Sequence, residues 1–425
     1  MDAPQDDPTP TDPAAGPCDQ DPQRDREARR EREAAADLVR MAEPGDVLLA
    51  ALVRAVGFVE ARGLAVSGDA GDRRRAARAV MEELAEGPGG AGAADLGGRM
   101  DEAFARWSVR VDELDGARDL RIMERLDGRL LLPGDDEWPP GMDDLGTHAP
   151  IGLWVRGPAR LRPALTRSVA IVGARAADPY GLTVTKMLAW DLAGAGWTIV
   201  SGGAYGVDAA AHRTALAADV PTVAFMAGGA DALYPRGNDQ LLTEVVRTGA
   251  IVSEAAPGQT AMRHRFLLRN RLIAAASRAT VVTAAGHRSG ALNTANRAAE
   301  LLRPVGAVPG SVMSDQSAGC HRLVREGAAV LITSAQDVIG LAAPLTDPTG
   351  EEHEVQTALR ITDAMEPHEL QVYSALPARR GVDVPTVAAR AGLSIRAAMA
   401  ALGMLELAGH AQRTDHGWAK GARSG

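Results

Sequence analysis

Four short stretches carry side chains that could grip a ligand. Arg175 ends Val172-Gly173-Ala174-Arg175, just after an apolar run. Ser201-Gly202-Gly203-Ala204-Tyr205-Gly206 closes a second apolar run and leads into Val207-Asp208. Arg263-His264-Arg265-Phe266-Leu267-Leu268-Arg269-Asn270-Arg271 sets arginines around one aromatic ring, and Arg288-Ser289-Gly290 opens a stretch containing Asn293 and Thr294. Glycine admits close backbone approach and positive φ. The free N–H groups and dipole of a helix N-terminus attract anions. Guanidinium forks suit phosphate, and an aromatic face takes a stacked base. These types assemble a grip on phosphate and base, not a bond-breaking centre. A Gly-rich turn alone serves packing as readily as binding, so the weight falls on Arg175 projecting beside the second turn.

The arrangements that would make an enzyme are missing or incomplete. Asp208 and His212 stand i, i+4 on one helical face and could orient a base or hold a metal, but no Cys, Glu or second His completes a site. A structural role is expected for both, with Asp208 near the helix N-terminus and His212 hydrogen-bonded inside. Ser201, His212 and Asp208 can be drawn as a hydrolase triad, yet Ser201 lies between Val200 and Gly202 and lacks the nucleophile elbow. Gly173-Ala174-Arg175-Ala176-Ala177-Asp178 does not supply the dinucleotide-binding G-x-G-x-x-G, and G-x-x-x-x-G-K-[ST] is missing. Cys18 and Cys320, the only cysteines, build neither a disulfide framework nor a thiolate metal site. No catalytic residue, metal or cofactor is therefore expected.

The chain of 425 residues carries a net charge of −9, which on its face argues against nucleic acid. Distribution matters more than the sum. Thr166 to Leu341 holds 16 Lys+Arg against 12 Asp+Glu, inside an otherwise acidic protein. Between Arg263 and Arg303 lie eight arginines and one acid, Glu300. The amino-terminal residues offer no signal-peptide pattern and no apolar run is long enough to span a bilayer, so a cytoplasmic location is expected.

These residues need elements to hold them. SVAIVGAR, WTIVSGG, PTVAFMAGG, GAIVSEA, ATVVTAA and RPVGAVPG read as short buried strands, with RLLLPG and IGLWVRG ahead of them. Amphipathic stretches such as GLTVTKMLAWDLAGAG and NDQLLTEVVRTG alternate with them. That alternation predicts an α/β fold: a Rossmann-like, doubly wound parallel sheet covered on both faces. Ligands then bind outside the carboxyl ends of the strands, where the glycine and arginine turns fall. The expected organisation is a disordered Pro/Asp-rich tail (1–33) whose closing mixed run, DREARREREAA, enters a helix, a helical N-terminal region (34–120) with a poorly specified joint near Gly87–Gly98, the Rossmann-like domain (121–342), a linker (343–360) and a C-terminal winged helix (361–421). The last is read from PHELQVYSAL, VPTVAARA, the turn GLS, IRAAMAALGMLELAG and the hairpin-like HAQRTDHGWAKG.

The order VAIVGAR, IVSGGAYGVDAAAH, AGGADALYP, IVSEAAPG, RFLLRNRLIAA, RSGALNTA and AVPG closely resembles the core of the DNA-processing protein A (DprA, or Smf) family over about 145 residues. The resemblance implies single-stranded-DNA binding, loading of RecA recombinase, a homodimer, and a role in natural transformation or recombination. Carried onto this sequence, it implies a binding pocket of Arg175, Gly202, Gly203, Arg263, Phe266, Arg269, Asn270 and Arg271, with Arg288 and Ser289 as neighbours. Part of the Arg269-Asn270-Arg271 triplet could be architectural. On this reading Arg175→Ala, or Arg269→Ala with Arg271→Ala, weakens binding and leaves the fold intact. The sequence departs from the family pattern at Leu267, where the family has proline, at Ala284, where it has an acid, and at Gly203, where Leu or Ile is usual. Two rival readings are a nucleotide-processing enzyme of the phosphoribohydrolase kind, whose P-G-G-x-G-T-x-x-E string does not occur, and a winged-helix regulator. The regulator's recognition helix, Ser394–Gly409, would carry only Arg396 as a basic residue.

Overall fold

The computed structural model describes residues 22–86, 96–343, 365–377, 381–414 and 416–421. They fall into two compact units, Met1–Pro344 and Leu345–Gly425.

The first unit begins with five helices: α1 (Pro22–Met41), α2 (Val47–Val66), α3 (Ala70–Glu86), α4 (Leu96–Ser108) and α5 (Gly116–Glu124). Helix starts at Pro22, so residues 22–33 of the expected tail are ordered. Proline is tolerated at a first helical position, and the charged run after it pairs with itself, Arg29 with Glu33 at 3.0 Å. Residues 1–21, most of the expected Gly-rich joint and nearly all of the expected linker lie outside the described residues.

Strands β1 (Gly128–Leu131) and β2 (Leu153–Arg156) follow, then α6 (Leu161–Thr166). The alternating core is β3 (Ser168–Gly173), α7 (Pro179–Gly194), β4 (Thr198–Ser201), α8 (Val207–Ala217), β5 (Thr222–Met226), α9 (Asp239–Thr248), β6 (Ala250–Ser253), α10 (Arg263–Ala276), β7 (Ala279–Ala284), α11 (Gly290–Glu300), β8 (Val305–Ala307), α12 (Ala318–Arg325), β9 (Val330–Leu331) and α13 (Ala335–Ala342). They form one nine-stranded sheet in the order β1-β2-β6-β5-β4-β3-β7-β8-β9. Pairing is parallel from β6 to β9, and β2 joins β6 antiparallel. β9 was not read from the sequence because two exposed residues carry no periodicity.

Both faces are covered, as continuous apolar strands require. Val169, Ile171 and Val281 point to α7, α8 and α13 through Leu188, Leu192, Ala211 and Val338. Ala170, Val172 and Val282 point the other way, to Leu272 and Ile273 of α10 and Leu292 of α11. The N-terminal helices share a third cluster with β5 and β6, in which Leu38, Leu52 and Trp107 pack with Met226 and Ile251. That helical region and the sheet thus have core side chains in common.

Strands β3 to β6 are laid down toward one edge, and α10 then recrosses the sheet to place β7 on the far side of β3. The strand order reverses there, which opens a crevice at the carboxyl ends.

The second unit holds α14 (Pro367–Ala375), α15 (Val384–Ala391), α16 (Ile395–Leu407) and the antiparallel pair β10 (Ala411–Thr414) and β11 (Gly417–Lys420). Gly392 ends α15 in the left-handed conformation (φ 69°), and Ser394 caps α16 through Ala397 N. Val372, Val387, Leu402, Leu405 and Trp418 form its small core. No helix among the described residues is long and apolar enough to cross a membrane.

Candidate nucleic-acid interface

The turn after β3 is forced outward. A side chain at Gly173 would fall 2.5 Å from Val207 and 2.9 Å from the Ala284 carbonyl, so the chain passes with no room to spare. Ala174 N donates to Ala284 O at 2.8 Å, and Val207 N donates to Ala174 O at 3.3 Å. This stitching lays the β3 turn against the β4 turn and leaves Arg175 as its exposed tip. The Arg175 guanidinium lies 4.8 Å above the ring of Phe266 on α10. Tyr234 approaches the same ring with centroids 6.0 Å apart. An exposed cation, a half-buried ring and an exposed phenol thus converge at the switch point from three elements.

Beneath them lies Arg269, whose side chain is buried. Its Nη1 donates to Gly202 O at 2.8 Å and to Phe225 O, and its Nε to Asn270 Oδ1 at 3.3 Å. Arg269 therefore ties together the ends of β4 and β5. A Cβ at Gly202 would lie 2.6 Å from the guanidinium nitrogens, so glycine is required there. Gly203 adopts φ +67° and is also buried, and Asn238 Nδ2 holds its carbonyl at 3.0 Å. Asn270 passes the linkage on, donating to Asn293 Oδ1 at 3.2 Å and Gly290 O at 3.4 Å on α11. Ser289 caps α11 through Ala291 N at 3.3 Å. Arg271 grips Glu254 with both nitrogens at 2.8 Å and also bonds His148 O.

These contacts correct part of the sequence reading. Arg269, Arg271, Gly202 and Gly203 are framework, because the arginines are satisfied inside the protein and the glycines make room. Removing Arg269 and Arg271 together is expected to cost stability as well as binding.

The eight-arginine segment is corrected as well. Arg265, Arg271, Arg297 and Arg303 pair with Glu43, Glu254, Glu300 and Asp144, all but Glu300 distant in sequence. Arg278 is exposed at the opposite end of β7, bonded to Thr166 O. At the carboxyl edge this segment leaves exposed Arg263 and Arg288 without an acid partner among the described residues, and Arg175 and Arg236 join them from elsewhere. Arg236, Tyr205 and Tyr234 were not singled out in the sequence. Their signal was their place in the Gly-rich turn (Tyr205), in AGGADALYP, the loop after β5 (Tyr234), and just past it (Arg236). Tyr205 packs so closely on Gly237 that a Cβ there would meet its hydroxyl at 2.6 Å. Of the departures from the family pattern, Leu267 is half exposed on α10, while Ala284 is buried under α7. There a Cβ on Gly181 would already be 2.9 Å from its methyl, so a longer acidic side chain would displace the first turn of α7.

In the candidate triad Ser201 lies beside Asp208, but His212 is turned to another partner. Ser201 donates to Ile171 O at 2.6 Å, and His212 Nδ1 is 2.8 Å from Thr222 Oγ1. Burial pushes the Asp208 carboxyl up, partly opposed by the nearby Arg269 charge. The same Arg269 stays protonated at neutral pH although burial lowers it to about 10. Among the described residues no three His, Cys, Asp or Glu side chains gather to hold a metal ion.

Burial, with help from Arg269, lowers His212 to about 3, so it is neutral in the folded protein. A histidine depressed on folding gives stability above its unfolded value that is lost as pH falls toward the folded one. Acidification from pH 6.5 to 4.5 is therefore expected to remove about 2–3 kcal/mol through His212 alone. Urea denaturation of the parent and His212→Gln across that window should show a shallower slope for the variant. Parallel slopes would mean His212 ionises freely.

The chain is similar to several known proteins. The family profile described as DNA recombination-mediator protein A matches residues 129–342. A DNA processing protein DprA of Mycobacterium tuberculosis is 42% identical over 393 residues, covering 90% of this chain and 92% of the relative. That of Streptococcus pneumoniae is 38% identical over 246 residues, 58% of this chain and 84% of the relative. Its X-ray structure superposes with a TM-score of 0.51 at 33% identity, over 58% of this chain and 84% of that one.

Proposed function

The chain belongs to the DNA recombination-mediator protein A family, and we propose that it works in DNA processing by holding single-stranded DNA along the carboxyl edge of its sheet. One observation carries the reading: Arg175 and Phe266 meet at 4.8 Å at the switch point, and Arg175 has no acid partner among the described residues. A backbone phosphate has Arg175, Arg236, Arg263 and Arg288 to choose from, and a base can stack on Phe266 or Tyr234. Ser289 and the α11 N-terminus offer backbone donors to a further phosphate. Contacts of this kind position a strand without reading base edges, so binding is nearly independent of sequence. Duplex DNA keeps its bases stacked inside and forfeits the aromatic contribution.

On this reading the protein acts by binding, and Ser201, His212 and Asp208 serve the framework through internal hydrogen bonds. A bound strand would be protected and presented for loading of RecA recombinase in recombination or natural transformation, and a homodimer would bridge two clefts. In the second unit α14–α16 and the β10–β11 hairpin follow the order of a winged helix. The exposed apolar side chains of α16, Ile395, Met399 and Leu407, favour a protein partner over duplex DNA for that module.

The test is a salt-titrated comparison of single-stranded, duplex and mononucleotide binding by the full chain. Four unpartnered arginines predict a slope of log affinity against log salt of about −3 for single strands, at ~0.7 per phosphate contacted. Single strands should bind more tightly than duplex at every salt concentration. A flat salt response, or equal affinity for duplex, would remove this function.

A further inference from the structure

We propose that Glu43, in the loop between α1 and α2, is a positioning residue for the strand-binding site, holding the first turn of α10 in shape around Arg263, His264 and Arg265. The inference rests on the strand-binding reading and deepens it, since it makes the N-terminal helical region part of the site.

The first turn of α10 is disfavoured by its own sequence. Its N-cap, Met262, makes no side-chain capping bond, and no acid lies in the turn. Three basic residues instead crowd the end where the helix dipole is already positive. Helix starts of this composition fray unless a negative charge is brought in from elsewhere. Glu43 brings it. Its Oε2 accepts from Arg265 Nε at 2.8 Å and from His264 Nε2 at 3.0 Å. Its Oε1 accepts from Arg265 Nη2 at 2.7 Å and from Arg110.

The carboxylate is not left to a mobile loop. Two residues on, Gly45 N donates to Glu254 Oε1 at 3.0 Å, on the carboxylate that grips Arg271 two turns along α10. Asp46 then caps α2 through Leu48 and Leu49 and accepts from Trp107 Nε1 at 3.1 Å. The segment 43–46 therefore lies along α10 and is fixed at both ends. With Arg265 and His264 drawn to Glu43, Arg263 is the cation of the turn left facing solvent, one turn from Phe266. Loss of the carboxylate frees the turn and blurs the placement of Arg263.

Glu43→Gln in the full chain tests this with two readouts. Hydrogen exchange of the Arg265 and Phe266 amides, both bonded to Met262 O, should speed up while the strands β3 to β7 stay protected. Affinity for a single-stranded oligonucleotide should fall about five-fold in Glu43→Gln and about five-fold in Arg263→Ala. The double variant should fall no further than about eight-fold, because one loss contains the other. Multiplying losses, or binding as tight as the parent in Glu43→Gln, overturn the proposal. If Glu43→Gln does not fold, Arg265→Gln removes the same ion pair from the other side and must show the same exchange and binding pattern. Parental behaviour there overturns it too. A parent protein indifferent to single strands would sink the strand-binding reading. Glu43 would then be judged by exchange of the Arg265 and Phe266 amides alone, and unchanged exchange rejects it.

Discussion

Alanine at position 269 is expected to destabilise the protein by about 3–5 kcal/mol and to abolish strand binding with it. The magnitude is that of removing one member from a buried, hydrogen-bonded charge network. Three groups lose their donor at once: the carbonyls of Gly202 and Phe225 and the Asn270 side chain. Asp208, buried nearby, loses the positive charge that opposes its desolvation. Total stability of a domain is of order 5–15 kcal/mol, so the loss is a large fraction of it. Lysine should rescue little, since a single ammonium cannot span two carbonyls and an amide in the guanidinium's plane. The urea midpoint measures the first effect and oligonucleotide anisotropy the second. A variant with the parent's midpoint but weakened binding would return Arg269 to the role of a direct phosphate contact.

The same residue shows where sequence reading reaches and where it stops. The parallel sheet was legible because strands buried on both faces write continuous apolar runs, and those runs fell where β3 to β8 lie. The candidate site was placed at the strand ends because Arg175, Gly202 and Arg288 each come shortly after such a run. What each arginine does was not legible. Glu43, Asp144 and Glu254, the acids that neutralise Arg265, Arg303 and Arg271, lie far away or on other elements, so charge counted along the chain overstated the patch. The converse held for Arg236 and Tyr234. They sit in a loop whose composition says only that the chain turns, and it is the fold that carries Tyr234 to Phe266. The charged run DREARREREAA was read as entering a helix, and that helix starts three residues earlier, at Pro22. A run of Arg and Glu looks solvated, yet i, i+4 pairs and the contact of Arg32 with Leu130 O and Asp135 make it part of α1.

Arg175 and Phe266 should behave in the opposite way to Arg269, losing binding with the fold untouched. Arg175 is exposed and its guanidinium rests on the Phe266 ring, with no acid partner among the described residues, so Arg175→Ala leaves no buried group unpaired. A charge-assisted contact to phosphate is worth about 1.5–3 kcal/mol, which predicts a loss of roughly 10- to 100-fold in single-strand affinity. Phe266→Leu keeps apolar volume between Arg175 and Tyr234 but removes the stacking face, at about 1–3 kcal/mol. The two losses should not multiply. The ring fixes the guanidinium as much as it stacks a base, so the double variant is expected to bind only slightly worse than the weaker single one. The salt slope separates the roles: it should shrink by about 0.7 in Arg175→Ala and by a smaller amount in Phe266→Leu, where the guanidinium is kept but less well placed. Equal slopes in both variants would mean that Arg175 only supports the ring, and that the strand's charged backbone runs elsewhere along the sheet edge.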